Sequence, residues 1–184
     1  MKATGKLRKY LYEDDKKWFS RFQPFLGKNV LKVGEGLGYL SSFIKKTKHN
    51  LSILDIQTNN LSKNKVIIYD GRIFPFKDRS FDCVVCTYVL HHTPNPLEIF
   101  DEMNRVSKRV ILIEETYENL FAKLDLVYRD IRVNLGVRQG SKIHWNSYFK
   151  KGELETIFKK RHLRVLYHHA EKKRTYWKEL FIVK

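Results

Sequence analysis

Acidic residues are scarce in this sequence: 20 Asp and Glu stand against 36 Lys and Arg, a formal net charge of +16 over 184 residues. Such a surface attracts polyanions, whether RNA, DNA or anionic lipid headgroups. The basic residues cluster at Lys45, Lys46 and Lys48, at Lys159 to Arg164 and at Lys172 to Arg174. They are spread over several segments, so solvated charged faces are the other reading. Cysteine is nearly absent. Cys83 and Cys86 fall in one predicted strand, where alternation sends them to opposite faces and argues against a disulfide. Both read as small core residues in a reducing, cytoplasmic compartment. No apolar run approaches the ~20 residues of a membrane span. Met1 to Lys9 is basic with no apolar stretch after it, so no secretory signal is expected. Seven histidines and two cysteines show no metal-ligand spacing, and His168-His169 is a weak signal; no metal is expected. Internal repeats and low-complexity linkers are missing too. What is present is 42% hydrophobic and 14% aromatic residues, enough for one domain with a proper core.

The most informative segment is Asn29 to Gly38. A short apolar strand runs into Gly34-x-Gly36-x-Gly38, and a helical pattern comes next. A second apolar run, from Leu51, ends in Asp55, 21 positions after Gly34. Glycines at such a turn let backbone approach a ligand, and the helix start offers free N–H groups. A carboxylate ending the next strand can accept both hydrogens of a ribose diol. The pair describes a nucleoside-cofactor site above a parallel sheet. Its spacing differs from the dinucleotide G-x-G-x-x-G, which favours a cofactor without phosphates.

Periodicity predicts a helix over 7–22, strands at 29–33 and 51–55 with a helix at 37–44 between them, then strands at 66–70 and 81–89. Asn95 is a candidate N-cap with Pro96 at the first helical position. A strand at 110–113 precedes a helix over 117–135, with Leu120, Leu124, Val127 and Ile131 on one face. Gly136 and Gly140 mark a loop. A helix is expected over 145–160, and strands at 163–167 and 176–183 are joined by a charged turn at 171–174. Alternating strands and helices imply an α/β, doubly wound sheet, and the terminal hairpin makes its last strand antiparallel.

With these elements in place, the chain resembles the S-adenosylmethionine-dependent methyltransferases of the seven-stranded Rossmann-like fold. Val30 to Gly38 is similar to their glycine motif and Asp55 to their ribose-binding acid. Ile73-Phe74-Pro75-Phe76-Lys77-Asp78-Arg79-Ser80-Phe81-Asp82 resembles the signature of the small-molecule branch. Val89-Leu90-His91-His92 resembles the next motif of the ubiquinone and menaquinone biosynthesis methyltransferases. The resemblance implies S-adenosylmethionine as cofactor. Gly34, Glu35, Gly36 and Gly38 would lie at the methionine end, Asp55 at the ribose, Ile56 on adenine and Asp70-Gly71 at the adenine edge. Tyr88 would be a wall, and His91 or His92 a catalytic base or a packing residue. It also implies a single domain over 1–184, with 1–26 as an N-terminal helical cap and 117–150 as a variable region covering the substrate.

Two departures stand out. Lys32 occupies the strand position where the family has an acid, and needs either a nearby carboxylate or a route to the cleft. Glu35 could restore negative charge beside the cofactor's ammonium. The family's glycine turn before the fifth strand is also absent. The Asn-Pro-Pro-Tyr type motif of amino-group methyltransferases is missing, as are paired catalytic cysteines. Arg129, Arg132 and Arg138 are candidates for an anionic substrate or for a solvated helix face. Trp145, Tyr148 and Phe149 either line an apolar pocket or anchor the loop. The expected acceptor is a small or lipid-like molecule. RNA methylation, or a cofactor-binding scaffold without catalysis, is the alternative.

Overall fold

The computed structural model describes residues 5–57, 62, 64–137 and 141–184. Helix α1 (Gly5–Phe22) leads, and its Trp18, Phe19 and Phe22 close onto the sheet at helical spacing. Next come β1 (Asn29–Val33), α2 (Tyr39–Lys45), β2 (Asn50–Asp55), β3 (Ile67–Ile68) and β4 (Cys83–Thr87). The second half holds α3 (Pro96–Val106), β5 (Val110–Tyr117), α4 (Leu120–Val137), β6 (Phe149–Lys150), α5 (Glu153–Lys160), β7 (Val165–Lys172) and β8 (Tyr176–Val183).

The sheet runs β3-β2-β1-β4-β5-β8-β7. β1 to β5 are mutually parallel, while β8 runs antiparallel to β5 and to β7. This is the expected seven-stranded path with one addition. Two-residue β6 pairs with the far end of β5, Thr116 opposite Phe149. Strand order reverses between β1 and β4, so their carboxyl ends frame the crevice where doubly wound sheets hold ligands. Helices α1 and α2 cover one face and α3 and α5 the other. Cys83 belongs to the first layer and Cys86 to the second, both free and buried.

Several boundaries differ from expectation, each for a local reason. β3 keeps only two residues of the five expected and lies at the sheet edge. β5 continues past Ile113 to Tyr117 because β8 pairs with it over its whole length. Asn95 starts α3, but its side chain donates to Glu98 at 3.1 Å and caps no backbone N–H. The helix expected over 145–160 is broken. Trp145–Ser147 form a 3-10 turn, Phe149 and Lys150 join the sheet, and Gly152 at φ 84° resets the chain for α5. The terminal hairpin also turns later, since β7 runs on to Lys172.

Helix α4 departs most. It runs through Gly136, while Gly140 lies outside the described residues. Of the four residues expected on one face, Val127 is buried, while Leu120, Leu124 and Ile131 face outward. They share an exposed stripe with Phe121 at 72%, Tyr128 and Leu135 at 71% exposure. The helix turns a polar face inward because that face is bonded there: Arg129 donates to Glu115, and Tyr148 donates to Asp130. Among the described residues no helix is long and apolar enough to cross a membrane.

Candidate active site

Strand β1 ends in a turn that only glycine fits. Gly34, Gly36 and Gly38 have φ of 74°, 56° and 76°, the left-handed region that L side chains avoid. A Cβ at Gly34 would lie 2.4 Å from Val89 Cγ2, and one at Gly38 2.1 Å from Ser62 Cβ. The turn is tied to β2 by Gly34 N–H to the Leu54 carbonyl, 2.8 Å. Asp55 adds to this tie: its Oδ2 accepts Glu35 N–H at 2.7 Å and its Oδ1 accepts Gln57 N–H at 3.1 Å. Each carboxylate oxygen has a second lone pair left for a ligand. Asp55 lines a cavity of about 550 Å³ over the carboxyl ends of the strands. Exposed Ile56 and the Asp70-Gly71 turn line the same cavity. Asp70 Oδ1 accepts the N–H of Arg72 and of Ile73, and these bonds hold its pKa below the ordinary value.

Lys32 has the carboxylate it needs. It is 3% exposed, and its Nζ lies 3.6 Å from Glu35 Oε2 and also donates to the carbonyls of Gly34 and Glu35. Glu35 further accepts from Ser41 at 2.5 Å and from Asn64 at 2.6 Å. Burial would raise its pKa, but the Lys32 charge and these hydrogen bonds outweigh burial and lower it. Glu35 thus holds the turn together from within.

The acid that faces the cavity without a partner comes from α1. Asp15 lines the cavity, and among the described residues no hydrogen bond or ion pair reaches its carboxylate. Burial pushes its pKa up to about 6, with Lys32 opposing and Asp14 adding to the rise. Its neighbour Asp14 is satisfied by Lys178 at 2.8 Å and by the Tyr88 hydroxyl at 3.4 Å. Tyr88 sits at φ 56°, a strained conformation for this residue, with Lys178 5.0 Å above its ring. A signal for Asp15 exists in the sequence. It stands four residues after Leu11 and three before Trp18, an acid on the apolar stripe of a predicted helix.

The opposite end of the cavity holds the two histidines. Glu114 of β5 accepts the N–H of Val89 at 3.0 Å and of Leu90 at 2.8 Å, and its other oxygen meets His91 Nδ1 at 2.6 Å. His91 stacks on Tyr148 at 5.0 Å and lies 4.2 Å from the His92 ring. His92 Nδ1 reaches the Lys142 carbonyl at 2.9 Å. Asp130 of α4 approaches both Nε2 atoms, at 3.9 Å and 3.7 Å. Burial alone would lower His91, but Glu114 outweighs it and raises its pKa; burial and then His91 lower that of His92. Neither Glu114 nor Asp130 was anticipated. Glu114 comes after an unbroken apolar run, and Asp130 has no local signal.

The other candidates settle differently. Arg129 lines the cavity, half-buried, with its guanidinium bonded to Glu115 and stacked on Tyr176 at 4.4 Å. Arg132 is exposed over Tyr128, and Arg138 lies outside the described residues. Phe149 packs in the core, Trp145 receives Lys123 at 4.5 Å, and the Tyr148 hydroxyl binds Asp130. None of these three lines the cavity, so they anchor the loop.

A glycine turn, an acid at the next strand end and a cavity at the switch point are arranged as in the S-adenosylmethionine-dependent methyltransferase fold. Residues 31–110 match the family described as a methyltransferase domain. The fold is similar to a SAM-dependent methyltransferase from Aquifex aeolicus, at 19% identity and TM-score 0.63, covering 92% of this chain and 89% of that one. A SAM-dependent methyltransferase from Methanosarcina mazei is similar at 18% identity and TM-score 0.64, covering 89% and 95%. The magnesium protoporphyrin IX methyltransferase of Synechocystis PCC 6803, solved with bound SAH, is similar at 15% identity and TM-score 0.63, covering 96% and 83%. No curated protein sequence matches the chain. The matched domain and the shared fold are those of proteins that use S-adenosylmethionine.

Proposed function

We propose that this chain transfers the methyl group of S-adenosylmethionine to a small-molecule or lipid-like acceptor. The observation that carries it is a single cavity with an unpartnered carboxylate, Asp15, beside the glycine turn and two imidazoles at its other end. Asp15 would receive the ammonium of the methionine end, in place of the strand acid that Lys32 displaced. Gly34, Gly36, Gly38 and the Glu35 backbone would cradle that end. Asp55 would take the ribose, Ile56 the adenine face, Asp70-Gly71 its edge, and Tyr88 would form the wall. When bound, the cofactor supplies a methyl group already activated on sulfur.

The chain's own task is to hold an acceptor in line and to exclude water. A base is needed only if the acceptor must lose a proton. His92, kept neutral by burial and by His91, is the group to accept it, and His91 is fixed by Glu114 as its positioning partner. A small or lipid-like acceptor is supported by what surrounds the cavity. The buried and half-buried cations near it are already paired: Lys32 with Glu35, Lys178 with Asp14, Arg129 with Glu115. The exposed cations that line the cavity are Arg72 and Lys142, one on each side of it, and not a continuous run along the described residues. The exposed apolar stripe of α4 lies on the back of the same helix that lines the cavity.

Methyl-labelled cofactor incubated with RNA, lipid extract and small-metabolite fractions tests the acceptor. Label is expected in the lipid or small-molecule fraction; label in RNA alone overturns the reading. Calorimetric titration tests the cofactor site, where Asp55→Ala is expected to weaken binding at least ~10-fold, the loss of one charged hydrogen-bonding partner. A scaffold that binds cofactor without turning it over is favoured by one contact, the Lys32 ammonium on the carbonyls of the glycine turn. Equal, tight binding of cofactor and its demethylated product, with no label transferred to any fraction, would select it.

A further inference from the structure

Two carboxylates at the histidine end of the cavity have no lysine or arginine bonded to them among the described residues. Glu114 is fully buried and, among the described residues, its carboxylate bonds only to His91 and two backbone N–H groups. Asp130 meets Tyr148, Asn134 and the two imidazoles. Buried carboxylates without a compensating cation are costly. The buried and half-buried cations lining the cavity are already paired with other acids, Glu35, Asp14 and Glu115.

We infer that His91, His92 and Asp130 form a binding site for a divalent first-row transition-metal ion, with the two Nε2 atoms and one carboxylate oxygen as ligands. The three ligand atoms lie within 4.8 Å of one another. At 3.9 Å and 3.7 Å the nitrogens are too far from the carboxylate for hydrogen bonds. Among the described residues neither Nε2 has another hydrogen-bond partner. Ligands ~2.05 Å from a tetrahedral ion stand ~3.3 Å apart, so the three atoms, already within 4.8 Å, close on the ion by small side-chain movements.

The outer contacts that metal ligands require are already made. His91 Nδ1 faces the Glu114 carboxylate and His92 Nδ1 faces the Lys142 carbonyl. Both oxygens only accept, so each ring carries its hydrogen on Nδ1 and turns the Nε2 lone pair toward Asp130. Tyr148 and Asn134 donate to Asp130 at 2.6 Å and 3.0 Å and fix its carboxylate. Two imidazoles and one carboxylate suit zinc, iron(II) or cobalt(II) over magnesium or calcium, which take oxygen ligands. Three protein ligands leave a position open to the cavity. A hydroxyl or thiol bound there would release its proton to solvent more readily, with no change of oxidation state. The ion would then take over the proton-handling role of His92. The cluster Glu155, His168 and Glu179 offers no comparable site, because Lys151 and His168 already bind Glu179 at 3.0 Å and 3.1 Å.

The test is cobalt(II) and zinc(II) binding to the full chain after chelator treatment. Visible absorption reads the cobalt site and equilibrium dialysis the zinc stoichiometry. One ion per chain is expected, with ~10- to 100-fold weaker binding for the outer-contact variant Glu114→Gln. Asp130→Asn and His92→Gln should weaken it further, and His168→Ala should leave it unchanged. Circular dichroism and the urea midpoint in chelator confirm that each variant is folded. Unchanged binding in folded Asp130→Asn and His92→Gln, or loss in His168→Ala, overturns the site. Because the readout is metal binding and not methyl transfer, this inference and the proposed function can fail separately.

Discussion

Asp15→Asn removes a carboxylate that stands in the cavity wall with no bonded partner. Its pKa is pushed from 3.8 up to about 6, by burial first. The charges facing it are Asp14 on its own helix, Lys32 from β1 and Lys178 from β8. Because folding raises this pKa, the folded chain keeps a proton that the unfolded chain has released between those two values. Stability therefore falls as pH rises through this window, and the cost is complete above about pH 6.5. A shift of this size corresponds to at most ~3 kcal/mol. The uncharged amide escapes it, so Asp15→Asn should match the wild type near pH 4 and exceed it at pH 7.5. With a urea slope of ~2 kcal/mol per molar, the midpoint gain is at most ~1.5 M. Cofactor binding should move the other way, ~10- to 100-fold weaker, the worth of one charged hydrogen bond. The assays are urea unfolding of the cofactor-free chain at both pH values and calorimetric titration at pH 7.5. A midpoint difference that is the same at pH 4 and pH 7.5 refutes the buried-charge argument. Unchanged cofactor affinity refutes the role given to Asp15.

Lys32→Met leaves the Glu35 carboxylate buried without its cation and should cost ~3–5 kcal/mol in urea unfolding, with most of the loss recovered when Glu35→Gln is added. Gly34→Ala forces a side chain into a φ of 74° and against Val89, so it should lower the unfolding midpoint and abolish cofactor binding by calorimetry. Leu124→Glu, on the exposed stripe of α4, should change stability by less than ~0.5 kcal/mol while reducing label transfer into a lipid acceptor presented in vesicles.

How much of this was legible in the sequence depended on the range of the interaction. The parallel strands at 29–33 and 51–55 were readable because their apolar runs and turns are local, and they match β1 and β2 within one residue. The glycine turn and Asp55 were readable because one turn and one strand end define them. The Phe74 to Asp82 signature was legible too, and its observed work is structural: Phe74 and Phe81 are buried, and Asp82 accepts Asn29 N–H at 2.9 Å. Helix α4 misled because its apolar stripe is real but faces solvent. Apolar periodicity reports which residues share a face and not which side that face turns. Here Arg129 and Asp130 decide the side, through Glu115 on β5 and through Tyr148, next to β6.

Lys32 shows most clearly where reading along one strand stops. Taken alone, a lysine at the acid's position suggests a damaged site. In three dimensions Lys32 has its own carboxylate and another element supplies an acid to the cavity, the exchange proposed above. Lys32 binds Glu35 and the turn carbonyls, and α1 brings Asp15 to the cavity wall, where the charge of Lys32 opposes the rise in its pKa. That exchange joins residues 17 positions apart on a helix and a strand, and no spacing rule links them. It also gives α1 a duty beyond packing. A cap that only covered the sheet would need Trp18, Phe19 and Phe22 and no unpartnered acid facing inward. A carboxylate there, at a cost to folding above pH 6, suits the cation-binding wall proposed for it.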